Sequence, residues 1–398
     1  MEFMANEASR GPLAGIKVLE ITQMVAGPLA GTMLADLGAS VVKVEGLKGD
    51  PFRNVKPQHK GMCSHFFAVN RHKRSIALDL KSEEGRAVAQ SLAAECDVML
   101  VNARPAALQR LALNYEQLKL RNPGLIYVMI TGFGPDGPYA DRPAFDQVIQ
   151  PLTGAMALQG PEGPPMPLRS MFVDKYAAST AVSAVNAALF HRERNGGEGQ
   201  LISVPLMKSF AFFSLVDNLH NLCFIEGDER TPVINITRPF RTADGMFMGH
   251  IQTDEQFAAI SRVLDAEHLL EDDRFSNPIR RVQNYEALWH ELEKGALKFT
   301  SMELEEIAVR EGLPVGKVNT VEEFLADPQA RHLKCVREYD TEDYGPVRVA
   351  AHPVDYSHSP ATVGGVAPRI GQHSDQILRE IGIHEEQINA MRASGVIC

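Results

Sequence analysis

The chain has 398 residues, 44% of them hydrophobic and 23% charged, which excludes a disordered, collagen-like or coiled-coil protein and leaves room for two or three domains. Its 40 Lys and Arg against 50 Asp and Glu give a net charge of −10. That argues against nucleic-acid and anionic-membrane partners, and any anionic ligand needs a local positive patch. Cys63, Cys96, Cys223, Cys335 and Cys398 form no CxxC pair, the opening residues carry no signal-peptide core, and no apolar run approaches the ~20 residues that span a bilayer. A cytoplasmic protein is expected.

The first half alternates strand-like and helix-like segments. IKVLEIT at 16–22 is β-rich, and Gly27-Pro28 opens a helix of small residues that Gly38 ends before the strand SVVKVE. SIALDL at 75–80 reads as a strand, Ser82 opens a helix with acids in its first turn, and DVMLVN at 97–102 and LIYVMITGF at 125–133 are further strands. Continuous apolar strands alternating with helices predict a parallel sheet covered on both faces. Residues 134–173 form a Gly/Pro-rich insert, a length that is usually functional. A long helix over 175–194 and the strand LISVPL follow. Beyond about residue 225, FRTADGMFMGHI suggests a hairpin turning at Asp244-Gly245, and helices of mixed charge run to about 327. The tail returns to short strands and a helix near 374–393. The pattern divides the chain into 10–224, an α/β unit, 225–330, a smaller α+β unit, and the tail 331–398.

Several chemistries lack their motifs. No GxGxxG follows the first strand, and no Walker A loop, HExxH, clustered Cys/His set or GxSxG elbow occurs. What remains is a set of residues at the carboxyl ends of strands, where open α/β sheets bind ligands. Val25 and Ala26 follow the first strand, Lys81 ends SIALDL, and Asn102 ends DVMLVN with Arg104 and Arg110 beyond it. Arg142 lies in the Gly/Pro insert. Each cation alone reads more readily as a solvated surface charge, but their shared position at strand ends suits a phosphate-rich ligand. The run Asn70-Arg71-His72-Lys73-Arg74 precedes a strand and is expected to be a solvated loop.

Asp174 directly precedes the small-residue helix, at the place of an N-cap. The same position favours an ionised carboxylate, which can attack an activated acyl group. Ala177, Ala178 and Ser179 leave space beside it. Position alone does not choose between cap and nucleophile.

Taken in order, PLAGIKVLEIT, AGPLAGTMLADLGASVVKVE, NRHKRSIALDLKSEEGR, NPGLIYVMITGFGPDGPYADRPAFD, DKYAAST, GGEGQLISVPL and RIGQHSDQILREIG resemble the class III CoA-transferase family. That group contains formyl-CoA:oxalate and carnitine CoA-transferases and the related α-methylacyl-CoA racemase. The resemblance implies an interlocked homodimer in which each chain supplies a Rossmann-like large domain, built from 10–224 with 331–398 returning to it, and a small domain. It implies transfer of CoA from an acyl-CoA donor to a small carboxylic acid, without metal or redox cofactor. Asp174 matches the nucleophilic aspartate. Val25, Ala26, Leu78, Lys81, Asn102, Ala103, Arg104, Arg110, and the stretch from Arg142 to Phe145 match CoA-contact positions. Gly46 replaces a CoA-contacting arginine of the formyl-CoA enzyme, and that enzyme's glycine-rich flap has no clear counterpart. Where the racemases carry His before Asp, this chain has Phe145-Asp146. Racemisation needs two acid/base groups about the α-carbon, so transfer is expected over racemisation. A racemase with Asp146 as second base, and a non-catalytic CoA-binding homologue, are the alternatives.

Overall fold

The computed structural model describes residues 11–158, 164–227 and 238–398. The opening residues, expected to carry no leader, and part of the Gly/Pro insert lie outside them. Contacts divide the chain into two units, Met1–His220 with Lys334–Cys398, and Asn221–Leu333.

The first unit is built on six parallel strands: β1 (Lys17–Ile21), β2 (Ser40–Glu45), β3 (Lys73–Ala77), β4 (Val98–Val101), β5 (Ile126–Thr131) and β6 (Gln200–Pro205). They lie in the order β3-β2-β1-β4-β5-β6, so every carboxyl end reaches the same edge. The period of two along each strand divides its residues between two cores. Leu19, Val42, Met99 and Tyr127 enter one, with Leu92, Ile377 and Ile388; their neighbours Val18, Val41, Leu100 and Val128 enter the other, with Ala30, Leu34, Ala177, Ala181 and Val185.

Six helices matter for the site: α1 (Ala26–Asp36), α2 (Glu83–Glu95), α3 (Pro105–Arg110), α4 (Asp146–Leu152), α5 (Phe172–Arg194) and α6 (Leu206–Asn218). α2 starts as its sequence suggests, with Ser82 Oγ accepting from Gly85 N at 3.0 Å and Glu83 and Glu84 in the first turn. α1 and α5 share the second core through alanines on both, and such small side chains let two helices approach closely.

Four local expectations change. The third strand lies at Lys73–Ala77, two residues earlier than SIALDL suggested, because Leu78 leaves the ladder to bridge Ile397 and Asp79 N donates to Val396 O at 2.8 Å. The C-terminal helix is two helices, Ser374–Glu380 and Glu385–Ala393, parted at Gly382 with φ +86°. The Gly/Pro insert contains α4. The run at 70–74 is not a solvated loop: Asn70, Arg71 and Lys73 are buried, and Arg74 Nη1 donates to both carboxylate oxygens of Glu380 at 2.7 and 2.8 Å. Each cation there finds acceptors in the fold, which is what burial of charge demands.

The second unit carries the expected hairpin, Phe240–Arg241 antiparallel to Met246–Gly249, with Val315–Lys317 as a third strand. Helices Asp254–Val263, Tyr285–Ala296 and Ser301–Arg310 pack Phe257, Trp289 and Leu304 around Phe247. Thr253 and Thr300 each open a helix with a capping box.

Candidate active site

At the carboxyl edge of the sheet, β1 and β4 are neighbours, so the turns after them meet. Asn102 Nδ2 donates to Gln23 O at 2.7 Å, and Gln23 N donates to Asn102 Oδ1 at 3.0 Å. Val25 and Ala26 follow at the mouth of α1, both almost wholly buried. Ala103 packs against the first core. Leu78 is fully buried beneath Ile397, so its side chain is core and offers no contact surface. That departs from its expected CoA contact, and the cause is the tail crossing the end of β3.

The cations are arranged differently from the core residues. Lys81, Arg104, Arg110 and Arg142 are exposed, and among the described residues none of the four faces a carboxylate. Arg142 stacks on Tyr139, with Cζ 3.6 Å from the ring centroid. Lys81 follows β3 and Arg142 and Phe145 follow β5, four strand spacings or ~19 Å apart, so the group lines a length of edge instead of one point.

Asp174 lies inside α5, in its first turn, and not before it. Met171 occupies the N-cap position without a side-chain bond. The capping work falls to Asp146 of α4, whose Oδ2 accepts from Val173 N at 2.8 Å and Asp174 N at 3.2 Å. Asp146 Oδ1 accepts from Gln150 Nε2 at 2.5 Å, and Gln150 Oε1 in turn accepts from Leu168 N at 2.9 Å. So the buried Asp146 is fully engaged. The Asp174 carboxylate, by contrast, is half-buried and accepts no hydrogen bond from any described residue. Its burial, together with the charge of Asp146, pushes its pKa up to about 7. A cavity of about 860 Å³ opens nearby, lined by Val25, Phe52, His65, Met171 and Lys175, though not by Asp174 itself.

One feature of the site escaped the sequence reading. Glu20, Lys43, Asp50 and Lys73 are buried together beneath the turn after β1. Lys43 Nζ lies 2.9 Å from Glu20 Oε1 and 3.2 Å from Asp50 Oδ2, and Lys73 Nζ 2.7 Å from Glu20 Oε2. Burial alone would raise the Glu20 pKa, but the two ammonium groups hold it below the ordinary range. The available clue was an ionisable residue inside the apolar run SVVKVE beside another in IKVLEIT. Among the described residues, no three His, Cys, Asp or Glu side chains cluster as a metal site would, and no helix is long and apolar enough to cross a membrane.

The sequence profile of CoA-transferase family III matches residues 13–374. The chain belongs to this family. It is 33% identical to the succinate–glutarate CoA-transferase of Agrobacterium fabrum over 93% of this chain and 96% of that one. With the human succinyl-CoA:glutarate CoA-transferase it shares 30% identity over 97% and 90%. A CAIB/BAIF family protein from Brucella suis superposes with a TM-score of 0.84 at 34% identity, covering 93% and 99%. The family III chain is thus an enzyme of the CoA-transferase class, acting on CoA thioesters as co-substrates.

Proposed function

We propose that this family III enzyme transfers CoA from an acyl-CoA to a carboxylic acid through covalent intermediates on Asp174. The supporting observation is the Asp174 carboxylate itself: partly withdrawn from water, free of hydrogen-bond partners, and set in the first turn of α5. The carboxylate attacks the thioester carbonyl; the C–S bond breaks, giving an aspartyl–acyl anhydride and CoA thiolate. The thiolate attacks the aspartyl carbonyl, releasing the donor acid and leaving an aspartyl–CoA thioester. The acceptor carboxylate attacks this thioester, again expelling thiolate. Thiolate then takes the acceptor's acyl group and restores the Asp174 carboxylate. Exclusion of water keeps the activated carbonyl from hydrolysis.

CoA binds along the sheet edge through Val25, Ala26 and the cations Lys81, Arg104, Arg110 and Arg142, whose lack of carboxylate partners leaves them available to phosphates. The working unit is a homodimer of interlocked chains. Large apolar side chains at Phe212, Phe213 and Val216 stand exposed on α6, and Phe190 on α5, apolar surface of the kind that partners cover. The domains run over 10–224, 225–330 and 331–398, in the cytoplasm. The relatives' names make dicarboxylic acids such as succinate and glutarate the first acceptors to try. A racemase using Asp146 as its second base is disfavoured, because both Asp146 oxygens already accept hydrogen bonds.

The test is chemical. Acyl-CoA with hydroxylamine should convert Asp174 to a hydroxamate found in its peptide, and Asp174→Ala should lose all turnover while still binding CoA. Trapping at another carboxylate, or an active Asp174→Ala, overturns the mechanism. Mass spectrometry of a panel of acids against several acyl-CoA donors identifies the substrates.

A further inference from the structure

The turn after β1 and the first turn of α1 are held from four places at once. Lys43 Nζ donates to Thr22 O at 2.8 Å, and Lys73 Nζ donates to Pro28 O at 2.7 Å. Asp50 Oδ1 accepts from Met24 N at 3.2 Å and from Phe52 N at 3.0 Å. On the other side, Asn102 takes both the N–H and the carbonyl of Gln23. Met24 sits at φ +66°, in the left-handed region that L side chains avoid. A backbone so placed persists only when its surroundings over-determine it. Two buried lysines and two buried carboxylates are a poor source of stability, since their desolvation offsets most of their attraction; fixing one arrangement is the better use of such a cluster.

We propose that residues 22–26 are a preset platform for the CoA thioester, and that Asp50 and Asn102 are its positioning residues. They grip the consecutive N–H groups of Met24 and Gln23 from opposite sides, and Lys43 holds Asp50 in place. The turn offers the ligand the backbone of Val25 and Ala26, whose side chains are almost wholly buried; Asn102, whose amide is spent on Gln23, acts through that backbone. The proposal rests on the CoA-transfer reading above.

The experiment compares wild type, Asn102→Ala, Asp50→Ala and the double variant as full-length protein. Calorimetry gives the dissociation constant of CoA, and hydrogen exchange with mass spectrometry follows peptides covering 22–26 without ligand. The wild-type segment should exchange slowly. Each single variant should speed exchange there while the remaining strands keep their protection, and should weaken CoA binding about tenfold. The double variant should lose little more than either single, because both residues act through one turn. A hundredfold loss in the double variant would make the effects additive and Asn102 a direct contact, which overturns the proposal. If Asp50→Ala does not fold, Asn102→Ala decides alone. Weaker CoA binding with faster exchange at 22–26 supports the platform. Weaker binding with unchanged exchange, or faster exchange with unchanged binding, refutes it. Failure of the wild type to bind CoA would instead sink the CoA-transfer reading and this platform with it.

Discussion

The Asp174 carboxylate carries an electrostatic cost in its site. Its folded pKa of about 7 lies well above the ordinary aspartate value of about 3.9. The native state therefore holds an extra proton between about pH 4 and pH 7, and stability falls as pH rises through that window. Asp174→Asn removes the ionisation, so its melting temperature should exceed the wild type's at pH 8, with the difference shrinking toward pH 4.5. A difference that is constant with pH would mean the carboxylate is not strained by its site. Catalysis has the opposite sign: only the ionised form attacks, so kcat/KM should climb with pH through about 7. The place of Asp174 was legible in the sequence because DKYAAST opens a small-residue helix, and the structure sets it in the first turn of α5. The capping role was not legible, since Asp146 lies 28 residues away and meets α5 only through tertiary packing. The buried Lys43 and Lys73 were hidden for the same reason: their acceptors come from other elements.

The elements themselves followed the sequence wherever local pattern decided them. Apolar runs gave five of the parallel strands and Ser82 gave the start of α2. The third strand and the C-terminal helix differed because a contact from the tail and a left-handed glycine set their ends. α1 has its own constraint. Gly31 packs onto the Glu20 carboxylate and Gly27 onto Thr22, so an added methyl at either would meet the buried charge cluster or its cover. Alanine would improve helix propensity by ~1 kcal/mol, yet overpacking a tight contact costs ~1–3 kcal/mol. Gly31→Ala should therefore lower the denaturation midpoint with an unchanged m value. A stabilised variant would mean that Glu20 has room to move. The sequence offered AGPLAG only as a small-residue helix; its reason, a carboxylate lying under the glycine, needed the fold.

For the whole molecule, the exposed apolar side chains Phe212, Phe213 and Val216 of α6 predict association. Sedimentation should give a dimer at micromolar concentration, and Phe212→Asp should shift it toward monomer and reduce activity. An active monomer would refute the interlocked arrangement. The two units have separate cores. The last residues have a consequence for synthesis. Leu78 and Ile397 bridge across roughly 320 residues, which a ribosome adds in about 15–60 s. Until then Leu78 waits without its cover, and a nascent chain must hold that edge exposed through almost its whole production. Chains truncated before Val396 should consequently emerge with the same early strands and depend on chaperones to stay in solution.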